Sequence, residues 1–102
     1  MEVYVRVFLG GVQLETEWEG EPVTIPGYEE YKFFATPAVE NYMKGSVRIT
    51  EARTGYSVGR GGDNVEDAVA EARKGLEILG KEKINQRIEE TIRVWGELPY
   101  RG

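Results

Sequence analysis

The sequence predicts an α+β fold, an antiparallel sheet of about five strands followed by two helices packed on one of its faces. Three observations carry this. Residues 2–19 alternate between apolar and polar side chains about a Gly10-Gly11 pair. A second alternating stretch runs from Ser46 to Val58, broken by Arg53-Thr54-Gly55. Beyond Asn64 the apolar period changes to that of a helix and holds as far as Trp95. Strands come first and helices last, within a chain of 102 residues that suits a single domain spanning 1–102.

The first hairpin has a definite register. Gly10-Gly11 is a two-residue turn signal. Pairing Leu9 with Val12 sets Val7 against Leu14, Val5 against Thr16, Val3 against Trp18 and Arg6 against Glu15. A slip of one residue would turn the glutamates into the core. Glu21 to Gly27, with Pro22 and Pro26, reads as an extended connection ending in a turn. Tyr28 to Ala35 is the expected third strand, and Thr36 to Gly45 a loop with a helical turn at Ala38–Met43. Ser46–Ala52 and Tyr56–Val58 supply the fourth and fifth strands.

A glycine-rich loop, Gly59-Arg60-Gly61-Gly62, then leads into the first helix. Asp63 and Glu66 have capping-box spacing, and Val65, Ala68, Val69, Ala72, Leu76 and Leu79 form one stripe ending at Gly80. The second helix spans about Glu82 to Trp95, striped by Ile84, Ile88, Ile92 and Trp95. Trp95 is expected in the core, with Trp18 closing the hairpin against it or against the first helix.

Composition narrows the function classes. Histidine and cysteine are absent, which removes imidazole and thiolate ligands, disulfides, cysteine nucleophiles and the commonest general base. No enzyme motif remains, and neither a metal nor another cofactor is expected. No apolar run approaches a membrane span, and Met1 leads straight into an alternating strand without the regions of a signal peptide. A cytoplasmic protein is the expectation. The net charge is −5, and residues 1–45 hold eight acids against three bases while the remainder holds ten of each. Such a half repels phosphate backbones and either suits a basic protein or simply keeps the chain in solution, the plainer of the two readings.

Two constellations are candidates for binding. Glu15, Glu17 and Glu19 line one side of the second strand, and Tyr28 and Tyr31 follow in an aromatic stretch. Together they form the expected partner-binding face, because aromatics beside acids can pack around a basic anchor. Extended-strand spacing, roughly 7 Å between alternate residues, is too wide for one cation shell. The alternative is an anion site built from Arg48, Arg53 and Arg60 with Gly61 and Gly62 at the helix N-terminus. Asp63, Glu66 and Asp67 bring negative charge to that same terminus.

Residues 47–79 resemble HicB-like antitoxin domains, in which a small antiparallel sheet supports a helix opened by an acidic, alanine-spaced run such as Asn64 to Ala72. Double-stranded-RNA-binding domains share the strand–strand–helix pattern, but where they carry lysines this helix has Val65, Glu66 and Asp67. The charge asymmetry, the alternating hairpin and the shortage of catalytic residue types point to a non-enzymatic regulatory module, HicB-like in its second half, that covers a basic partner such as a nucleic-acid-handling protein. A nucleic-acid or phosphate binder using the Arg53 and Arg60 loop is the second expectation. A self-assembling subunit of a phage or mobile element, pairing as a homodimer through a strand edge, is the third.

Overall fold

The computed structural model describes residues 2–9, 12–37 and 47–98. The Gly10-Gly11 turn and the helical turn expected at Ala38–Met43 lie outside them. The described elements are β1 (Glu2–Leu9), β2 (Val12–Glu19), β3 (Glu21–Val23), β4 (Phe33–Pro37), β5 (Val47–Glu51), β6 (Ser57–Gly62), α1 (Val65–Leu79) and α2 (Lys81–Trp95). The class is α+β. The hairpin register is the one the alternation predicts, from Leu9 opposite Val12 to Val3 opposite Trp18 and Glu2 opposite Glu19.

The sheet arrangement differs from the expected single layer. β1 and β2 form a separate two-stranded sheet, and β3-β4-β5-β6 form an antiparallel sheet of four. Successive strand residues point to opposite faces, and β4 shows where the two layers meet it. Phe33 and Ala35 join Ile49 and Ile25 beneath α1 and α2, whereas Phe34 packs with Val3, Val5 and Ala52 from the hairpin side. The four-stranded sheet is therefore sandwiched between hairpin and helices. Ile25, Ile49 and Val3 are fully buried, each contributing roughly 1.5–3 kcal/mol.

Gly20 makes this layering possible. It joins β2 to β3 with no intervening residue. A Cβ there would stand 2.8 Å from Val3 Cγ2 and 3.1 Å from Thr36 Cγ2, so only glycine lets the chain step between layers at this point. The strand expected at Tyr28–Ala35 starts later, at Phe33. Its first residues instead form turns closed by Tyr28 N–H donating to the Ile25 carbonyl and Tyr31 N–H to that of Tyr28.

The glycine-rich segment is also not a loop. It is the second half of β6, where Val47 pairs with Gly62 and Ile49 with Val58. Residues 59–61 thus stand against Arg48 alone, a bulge that Gly59 and Gly61 accommodate with φ of 74° and 78°. α1 lies directly on this strand, with Ala68 and Ala72 completely buried. Its N-cap is Asn64 rather than Asp63: the Asn64 side chain accepts from Asp67 N–H at 2.9 Å. Gly80 ends α1 as expected, its N–H bonding the Leu76 carbonyl at 2.9 Å.

Two tryptophans take unexpected places. Trp95 is 53% exposed at the end of α2. Trp18 packs on the hairpin-side cluster and donates its indole N–H to the Pro37 carbonyl at 3.0 Å. Val65 is also exposed.

Two α1–β6 glycines should respond oppositely to alanine. At Gly59 an added Cβ would lie 2.9 Å from the Ala72 backbone at a left-handed φ. Gly59→Ala is expected to lower unfolding free energy by about 2 kcal/mol or more. At Gly75 the nearest atom would be 3.8 Å away. Gly75→Ala is expected to raise stability by about 0.5–1 kcal/mol. Urea denaturation of both variants checks the pair.

Candidate functional site

Hairpin alternation sorts its side chains. Val3, Val5 and Trp18 turn to the four-stranded sheet, so Tyr4, Arg6, Glu15, Glu17 and Glu19 belong to the opposite face. Glu15, Glu17 and Glu19 are exposed there, and Glu2 and Glu21 are exposed at the same end of the hairpin. Glu2 and Glu19 are cross-strand partners, a like-charge pairing that costs energy in an isolated sheet.

Arg6, on the same face, is not solvated. It is 4% exposed. Its Nη2 donates to the carbonyls of Trp95 at 3.1 Å and Gly96 at 2.8 Å, and its Nη1 to that of Thr54 at 3.1 Å. Glu15 Oε1 accepts from Nη2 at 2.9 Å and from Nε at 3.3 Å. A guanidinium thus sits at the negative end of α2, where a cation is favoured, and Glu15 is half committed to holding it.

The aromatic part of the expected face lies elsewhere. Tyr28 is 8% exposed and belongs to the helix-side core. Tyr31 packs against that core and donates its hydroxyl to Asn85 Oδ1 at 2.7 Å. Lys81 closes this corner, 5.4 Å from the Tyr28 ring centroid and 2.8 Å from Glu30. That contact lowers the Glu30 pKa through the hydrogen bond from Lys81, and raises the Lys81 pKa in return. The sheet therefore separates Tyr28 and Tyr31 from Glu15, Glu17 and Glu19, and the acidic face has no tyrosine from this pair.

The alternative anion set is likewise dispersed. Arg53 lies in the β5–β6 turn, bonded to Glu97 at 2.5 Å. Gly61 and Gly62 occupy the far end of that strand pair, opposite Val47. Arg48 is half-buried in β5 and Arg60 is exposed on β6. Gly61 is buried against the Val47 carbonyl, and the half-buried Gly62 lies close to Asp67 and Ala68. Both glycines serve close packing, and no open loop of N–H groups is formed.

Glu51 is the ionisable group that sequence reasoning missed. It is 5% exposed at the end of β5, and it shares strand parity with the core residues Val47 and Ile49, which was the available signal. Its Oε2 accepts from Arg53 N–H at 2.7 Å and Oε1 from Thr54 N–H at 2.9 Å, so the carboxylate holds the turn from inside. Burial pushes its pKa up, against the lowering effect of those bonds and of Arg53. It lines a cleft of about 460 Å³ between β6, the C-terminal half of α1 and α2.

Among the described residues no three or more carboxylates are grouped to hold a metal, and no helix is long and apolar enough to cross a membrane. No protein-family model, curated protein or solved structure matches this chain.

Arg6→Met would leave three carbonyls and the α2 terminus without their donor. It is expected to cost about 3–5 kcal/mol, whereas Glu15→Gln, at a half-exposed position, is expected to stay within about 1 kcal/mol. Chemical denaturation of each variant separates the two roles.

Glu51 predicts a pH dependence. Its folded pKa lies above the ordinary 4.5, so its stabilising contribution is fully present below the unfolded value. That contribution is lost as pH rises through the folded one. The stability of Glu51→Gln relative to wild type is therefore expected to improve as pH rises across that window. Paired denaturation curves from pH 4 to 7 measure it.

Proposed function

We propose that the protein is a non-enzymatic binding module that covers a basic protein partner with the outer face of the β1–β2 hairpin. The observation carrying this reading is the exposed row of Glu15, Glu17 and Glu19 on β2, extended by Glu2 and Glu21. β2 pairs only with β1 among the described strands, so the row runs along a strand edge that a partner chain can approach. A clustered negative field speeds encounter with a positive surface and rejects a negative one.

The mode of action is regulatory, as the HicB-like resemblance of residues 47–79 implies, in a cytoplasmic setting. The same open edge allows a homodimer, in which two hairpins would have to pair without bringing their glutamates together. Repulsion between two acidic rows favours a basic partner over a second copy.

Glu17→Lys/Glu19→Lys tests the proposal while leaving the Arg6–Glu15 contact intact. Basic proteins retained by the immobilised wild type are expected to bind the double variant about tenfold more weakly or not at all. Identical retention by both proteins, across low and high salt, would remove the hairpin as the contact face.

A further inference from the structure

The cleft beside Glu51 lies on the helix side of the sheet, away from the acidic hairpin face. We propose that it binds a small amphipathic amine, with the apolar body along Phe33, Val58, Leu76 and Ile88 and the ammonium at the Glu51 carboxylate.

Its volume of about 460 Å³ falls within the size of small-ligand pockets. Leu76 and Ile88 are buried on the helices, and Phe33 is buried on the sheet below them. α1 contributes Gly75 to the wall, and the absence of a side chain there keeps the space open. An apolar body of a few carbons would meet hydrocarbon on three sides.

The charged groups on the wall decide what the head must be. α1 supplies none: its lining residues are Gly75, Leu76, Ile78 and Leu79. α2 supplies Arg87 and Glu90, both exposed. Tyr56 lines the sheet side, half-buried. Glu51 is the buried one, and Arg53, the cation of its own turn, is engaged by Glu97.

Glu51 Oε2 accepts the Arg53 N–H and Oε1 the Thr54 N–H, and the Thr54 side chain also hydrogen-bonds the carboxylate, which with its two oxygens keeps further acceptor capacity. These neutral donors do not offset the removal of the carboxylate from water, and its pKa is raised by that burial. A ligand ammonium would balance it. A ligand carboxylate would gain only an exposed Arg87, worth little in water, and would be repelled by Glu51.

Three probes of equal chain length test this: n-octylammonium, n-octanol and n-octanoate, titrated by calorimetry and followed by amide NMR shifts. The ammonium is expected to bind roughly tenfold or more tighter than the alcohol, with octanoate weakest. The shifts should gather at Gly59, Gly75 and Ile88. Glu51→Gln should abolish the preference for ammonium over alcohol, and Gly75→Leu should weaken all the probes. In the wild type, that preference should shrink as the pH falls through the Glu51 pKa, a readout that needs no variant to fold. Glu17→Lys/Glu19→Lys should leave octylammonium binding unchanged, which separates this site from the hairpin. Octanoate binding as tightly as octylammonium, shifts confined to the hairpin, or no binding by any probe would overturn the proposal.

Discussion

The position of the hairpin depends on one buried arginine. Arg6 joins three parts of the chain that are remote in sequence: β1 itself, the β5–β6 turn through Thr54, and the end of α2 through Trp95 and Gly96. Its backbone N–H adds a bond to the Gly55 carbonyl at 2.9 Å, so strand and side chain grip the same turn. Burying a guanidinium costs several kcal/mol, offset only when its donors find good acceptors. Here the acceptors exist only if the hairpin, the turn and the helix terminus come together, which ties this charge to one arrangement of layers.

The turn is held from its other side by a second buried charge. Thr54 donates its N–H to Glu51 and offers its carbonyl to Arg6, so opposite charges act on one residue from two layers. Gly55 has no room for a Cβ, which would lie 2.5 Å from Leu98 Cδ1 and 2.9 Å from the Arg6 nitrogen. Leu98 then bonds the Arg53 carbonyl through its own N–H at 3.0 Å. The end of the described chain is thereby fixed to the same point. Glu51 and Thr54 of this same turn also line one wall of the cleft.

What the sequence revealed follows the range of each interaction. The hairpin register was legible because alternation and turn chemistry are local and agree. The bounds of α1, Val65 to Leu79, were legible from the apolar stripe and Gly80. The layering was not, since nothing local states that Phe33 faces helices and Phe34 faces a hairpin. Glycines 59–62 suggested a loop because their reason for being glycine, the close passage of Ala72, comes from a helix later in the chain. The partners of Arg6 and Glu51 are mostly backbone carbonyls and N–H groups, which have no signature in side-chain pattern, so for Glu51 only strand parity with Val47 and Ile49 pointed inward. Tyr28 and Tyr31 were grouped with the glutamates by nearness in sequence, and the sheet divides them.

Charge placement gives the division of faces a physical basis. Of the three bases in residues 1–45, Arg6 is buried on the Glu15 side of the hairpin under the β5–β6 turn and the end of α2, and its charge serves the α2 terminus and Glu15. On the helix side acids and bases pair locally, as in Arg73–Glu77, Lys74–Glu71, Arg93–Glu90 and Lys81–Glu30. Much of the acid of the first half is exposed on the outer hairpin, at Glu2, Glu17 and Glu19, with Glu21 next to it on β3. A uniform excess of acid would serve solubility alone. On the proposed reading, a row of exposed glutamates along one strand, set on the layer opposite these ion pairs, would give the molecule a direction from which a basic surface approaches.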